Sequence, residues 1–148
     1  MRRRTLLIAC AWLLGLVPPV SAQMVAYTVT VTTNGSGDAT VYSPPTFGTI
    51  VAIRYVPDGS TPLDTAATLT ITDNTSGLTL LAISSLGTAS RDFFPRAFTM
   101  TTTGTVALYA AGGTTVLDAV PVAGAIKVVV AAGGATKIGT VYLFVQGR

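Results

Sequence analysis

Residues 25–44 read VAYTVTVTTNGSGDATVYSP, and the alternation in that stretch sets what the chain can fold into. Val25, Tyr27, Val29 and Val31 fall on one face of an extended segment and threonines on the other. That is the period-two pattern of a strand with one covered side. Asn34-Gly35-Ser36-Gly37-Asp38 can supply the positive φ of a hairpin loop. Ala39 to Ser43 then reads as a short return strand, stopped by Pro44-Pro45.

The same texture continues to the C-terminus. Thr49 to Val56 is a more continuously apolar strand, with Val51, Ile53 and Tyr55 on one face and Ile50, Ala52, Arg54 and Val56 on the other. Residues 57–66 form a loop. Ala67 to Asp73 alternates with Leu69 and Ile71 inward, and Asn74-Thr75-Ser76-Gly77 turns the chain into Leu78 to Ser84. The least regular stretch follows and holds Phe93, Phe94 and Phe98. Thr105 to Ala110 reads as a strand. Val116 to Pro121 reads as an edge segment, because proline cannot donate to a ladder. Ile126 to Ala131 and Gly139 to Val145 suggest a C-terminal hairpin around AGGATKIG. No segment after Met24 sustains a helical period. Turn residues at short, fairly regular intervals predict an all-β protein, an antiparallel β-sandwich of eight or nine strands, with a jelly roll among the arrangements open to it.

The first 23 residues have a different composition. Arg2, Arg3 and Arg4 precede an apolar run from Leu6 to Val17, and small residues at Ser21 and Ala22 close the segment. This is the layout of a secretory signal. The run is shorter than the ~20 residues a spanning helix needs. The reading is therefore a leader over 1–23 and one β-sandwich domain over 24–148, with no membrane association once the leader is removed. Met24 can equally serve as an internal start. The three arginines account for the whole net charge of +3. From Met24 onward, six basic residues meet six Asp. No basic, aromatic-laced surface for nucleic acid is implied.

The side chains available for chemistry are few. The sequence has no His and no Glu, and its single Cys, Cys10, lies in the leader. A Ser/His/Asp triad and a His/Cys zinc site are both excluded by that inventory. Asp58 and Asp64 share a loop, DGSTPLD, whose oxygens are too few for a calcium site and suit a turn. Asp73-Asn74-Thr75-Ser76-Gly77 reads as a turn as well. The expectation is a non-enzymatic protein with no cofactor, no metal and no catalytic residues.

The stretches YTVTVTTNGSGDATVYSP and LYAAGGTTVLDAVPVAGAIKVVVAAGGATKIGTVYLFV resemble small β-rich virion proteins of tailed bacteriophages, encoded near capsid and head-completion genes. The resemblance covers about Tyr27 to Val145 and consists of texture rather than a catalytic motif. It implies a structural, capsid-associated role and transfers no functional residues. The leader departs from that pattern, which begins near Met24.

Two functions follow. One is a structural protein of the phage particle, located in the virion and packing as a homo-oligomer or against capsid proteins. The other is a secreted or periplasmic β-sandwich binding, adhesion or matrix protein. In either case a chain with only 10% charged residues leaves its strand edges poorly protected. The scarce charges beside aromatics at Arg91, Phe93, Phe94, Arg96 and Phe98 make that stretch the candidate interface.

Overall fold

The computed structural model describes residues 23–147; Arg148 and the leader, apart from Gln23, lie outside the described residues. Eleven strands follow one another: β1 (Met24–Thr32), β2 (Ala39–Tyr42), β3 (Thr46–Pro57), β4 (Thr68–Asp73), β5 (Thr79–Ile83), β6 (Arg91–Phe93), β7 (Ala97–Phe98), β8 (Leu117–Asp118), β9 (Val120–Gly124), β10 (Ile126–Ala131) and β11 (Ile138–Gln146). Among the described residues there is no helix. Every ladder between these strands is antiparallel.

Two sheets form the sandwich. One runs β1-β11-β3, with β6 and β9 both on the far side of β3; the other runs β2-β10-β4-β5. β6 pairs Ile53 to Tyr55 and β9 pairs Thr46 to Ile50, in the same direction along the same edge. They are therefore two halves of one interrupted strand. Counted that way, the sandwich has eight strands in the order of a jelly roll.

The alternation seen in the sequence builds the core. Val29, Val141 and Tyr55 form one cross-strand row, and Tyr27, Leu143, Ile53 and Phe93 form the next. From the opposite sheet come Leu69 and Ile71 of β4 and Ile126, Val128 and Val130 of β10, all fully buried. Each such side chain contributes on the order of 1.5–3 kcal/mol by leaving water.

Two expected hairpins are not hairpins. β1 pairs with β11 and β2 with β10, so residues 33–38 and 132–137 are arches that carry the chain from one sheet to the other. The arches stack. Gly133 N–H donates to Gly37 C=O at 2.8 Å, and Thr33 N–H to Lys137 C=O at 2.9 Å. The buried Thr33 hydroxyl accepts from Lys137 N–H at 2.8 Å. Gly37 has φ of +85°, and a Cβ there would come within 2.9 Å of Gly134 N. The glycines that read as hairpin chemistry are needed for this close approach instead.

The faces of β3 also differ from the simple alternation. Ile50 is fully buried and Val51 only half-buried. The register with β11 shifts between Phe144 and Val145, leaving Val51 as the extra residue of a bulge. Thr105 to Ala110 is not a continuous strand. It makes isolated bridges, Met100 with Val106 and Leu108 with Thr115.

Candidate protein-interaction surface

The break between β6 and β9 admits a long excursion, residues 94–119. From Ala97 to Leu117 it carries no charged residue. Among the described residues its strands β7 and β8 pair only with each other. Beyond them, three backbone bonds close a ring. Thr99 N–H donates to Val116 C=O (3.0 Å), Val116 N–H to Ala107 C=O (2.9 Å), and Ala107 N–H to Thr99 C=O (2.8 Å). Three two-stranded ribbons leave this ring. The stem β7–β8 returns to the sandwich. A second ribbon passes Met100 and Val106 and turns at Thr101 to Thr105, where the Thr101 hydroxyl hydrogen-bonds those of Thr103 at 2.9 Å and Thr105 at 2.7 Å. The third passes Leu108 and Thr115 and turns at Ala110 to Gly113.

So small an insert encloses little core. Tyr109 is 76% exposed, Phe94 65%, Phe98 60% and Met100 59%, and Leu117, Leu108 and Val106 are also exposed. An isolated two-stranded ribbon is marginally stable in water, and apolar residues gathered on one protrusion mark an interaction site more often than scattered ones do.

The five residues singled out from the sequence divide. Phe94 and Phe98 point out of the fold at the base of the excursion. Phe93 packs half-buried against the core opposite Ile53, so it serves the sandwich rather than its surface. Arg91 is exposed but tethered. Its guanidinium lies 5.4 Å from the Phe93 ring centre and donates to the Ser85 and Leu86 carbonyls at 3.4 and 3.3 Å. Arg96 is exposed and donates to the Pro95 carbonyl at 2.8 Å. The neighbouring Asp92 meets Arg54 at 3.6 Å across exposed side chains, a pair worth little in water. Met100, Val106, Leu108, Tyr109 and Leu117 belong to no motif in the sequence. The signal that could have found them was the charge-free run itself.

Away from the excursion, Asp58, Asp64, Asp73 and Tyr55 take their settings from local structure. Asp58 accepts from Ser60 N–H, Thr61 N–H and the Thr61 hydroxyl within its own turn, and the bonds from Thr61 and Ser60 hold its carboxyl below the usual carboxylate range. Asp64 instead packs against the backbone of Gly134. Asp73 is 1% exposed. Burial works against its ionised form, yet the Ser76 hydroxyl and Thr75 N–H, with smaller contributions from the Ala123 and Ser76 backbone, outweigh this and lower its pKa. Burial pushes the Tyr55 phenol up, with the Leu63 backbone opposing more weakly. Its hydroxyl has no partner in hydrogen-bond geometry among the described residues. Among those residues no three His, Cys, Asp or Glu side chains gather as a metal site. An open groove of about 400 Å³ lies between Phe47 to Thr49, Pro121, Val122 and Gly147.

No protein-family model matches the chain, and no curated protein matches it. Among solved structures, the crystal structure of FlhE aligns at 12% identity over 85% of this chain and 100% of that one, with a TM-score of 0.38. At that score the likeness carries no argument about fold or function.

Proposed function

We propose that this chain is a non-enzymatic structural protein that works by packing the 94–119 excursion against other protein chains. The observation that carries the reading is the excursion itself, uncharged from Ala97 to Leu117 with Phe98, Met100, Leu108 and Tyr109 turned outward. A surface of that kind gains from being covered, and aromatic residues are enriched where interfaces are tightest. The resemblance to phage virion proteins makes copies of the chain, or the capsid they assemble on, the first partners to test. Jelly rolls occur in viral capsids and equally in lectins, so the fold alone does not choose between them.

The composition of residues 1–23 favours a second setting, a secreted β-sandwich binding or adhesion protein that uses the same excursion on another partner. Sedimentation of the purified natural protein, alone and mixed with phage capsid particles, tests the first setting. Its companion is a variant carrying Phe98→Ser, Leu108→Ser and Tyr109→Ser. The natural protein should co-sediment with the particles, or assemble further than the folded variant does, and the variant should lose that excursion-dependent assembly. Equal behaviour of the two proteins would overturn the role given to the excursion. Intact mass of the natural protein separates the settings: a chain starting at Met24 fits the virion, and one cut at the leader fits export.

A further inference from the structure

The sandwich has four strand edges, and three of them carry a device that discourages pairing with another chain. β2 is four residues long and runs into Pro44-Pro45. β5 is bulged, its register with β4 shifting between Ile71 and Thr72. The β6–β9 edge is broken by the excursion and bears Arg91, Asp92 and Pro121. Charges, prolines, bulges and short length are the means by which native sheets blunt their edges.

β1 has none of them. Met24–Thr32 is nine residues without charge or proline. It pairs with β11 in one uninterrupted register, and its other side has no strand among the described residues. At the two ends of that ladder Gly147 N–H donates to Gln23 C=O, and Thr33 N–H to Lys137 C=O. Odd-numbered residues therefore face β11. Backbone groups alternate sides along a strand, so Met24, Ala26, Thr28, Thr30 and Thr32 turn their N–H and C=O to the open side.

We propose that the open edge of β1 pairs antiparallel with β1 of a second copy, about a two-fold axis at Thr28. Thr28 is the middle residue of the strand, so this register overlaps all of it. Every outward-facing residue then meets another: Thr28 its own copy, Ala26 the partner's Thr30, Met24 the partner's Thr32. Each such pair exchanges two bonds, about ten in all. On the inner face the same register sets Val25, exposed in the single chain, beside Val31 of the partner subunit, and Tyr27 beside the partner's Val29. On that inner face apolar thus meets apolar, and at the axis threonine meets threonine, cross-strand pairings that stabilise sheets. The two five-stranded sheets become one. A second copy fits better than a charged peptide, because the strand offers no charge to select one.

The inference does not rest on the excursion, and the experiment keeps the two apart. Sedimentation equilibrium of the purified natural protein is compared with Thr28→Pro and with the triple-serine excursion variant. Proline at 28 removes an N–H that has no partner among the described residues, so the fold is kept while the central pair is lost. The natural protein and the excursion variant should be dimeric, and Thr28→Pro should dissociate about tenfold or more easily. In a Cys10→Ala background, Thr28→Cys should form a disulfide-linked dimer under mild oxidation, since directly opposed residues stand ~5.5 Å apart. Thr30→Cys alone should not, because it faces Ala26. A monomer at all concentrations would overturn the proposal. So would a dimer that Thr28→Pro leaves intact, or one that the excursion variant abolishes.

Discussion

Phe93 and Val120 occupy successive stations on the same edge of β3, opposite Ile53 and Ile50, although the whole excursion lies between them in sequence. The sandwich strand therefore stops after Phe93 and resumes at Val120. An insertion placed this way interrupts a ladder without taking a side chain from the core. Tyr27, Leu143, Ile53 and Phe93 still form one row, and Val145, Ile50 and Val120 another.

The jelly roll should survive loss of the insertion. Replacing Ala97–Asp118 by a short Gly-Ser linker should leave a cooperatively unfolding all-β protein, read by far-ultraviolet circular dichroism during thermal denaturation. Loss of the cooperative transition would mean that the excursion holds the sandwich together.

Core and excursion should respond differently to truncation. Leu143→Ala and Ile71→Ala remove side chains buried to 0% exposure and should each cost about 2–5 kcal/mol in urea unfolding. Leu108→Ala, on an exposed site, should stay within about 0.5 kcal/mol in the isolated chain. A large loss at Leu108 would show that the excursion has a core of its own.

Strand faces were legible from the sequence wherever the ladder is regular. In β1 and β4, Val29, Val31, Leu69 and Ile71 are buried as the alternation requires. Strand partners were not legible. Asn34 to Asp38 and Ala132 to Lys137 have the residues of hairpin loops, and the same residues serve arches whose geometry is fixed by each other. Alternation alone places Val51 on the face of Ile53, because the bulge that leaves it extra lies in the register with Phe144 and Val145, far along the chain. At the candidate surface, Phe94 and Phe98 were legible as scarce aromatics near charges. Phe93 stands beside them in sequence but packs half-buried against the core, and adjacency does not tell which side of an edge strand a ring takes.

Asp73 should make stability depend on acid. Its folded pKa lies below the ordinary carboxylate value, so the native state favours the ionised form. That stability is fully present above the unfolded-state pKa of about 4 and is lost as pH falls through the folded value. Urea midpoints should fall on acidification below about pH 4, and Asp73→Asn should lower the midpoint at pH 7 and flatten that fall. An unchanged acid limb in the variant would remove Asp73 from the account.

Tyr55→Phe should be neutral or stabilising. The hydroxyl is buried without a hydrogen-bond partner among the described residues, and removing such a group spares its desolvation cost. Thermal unfolding checks this; a loss of more than about 1 kcal/mol would show that the hydroxyl is satisfied in solution.

Hydrogen–deuterium exchange read by mass spectrometry, on the purified natural protein before and after assembly, tests the central claim most directly. The account predicts that amides of Ala97 to Leu117 exchange fast in the dispersed chain and become protected when the chain self-associates or binds its particle. Equal exchange of this segment in both states, with protection appearing elsewhere on the sandwich, would contradict it.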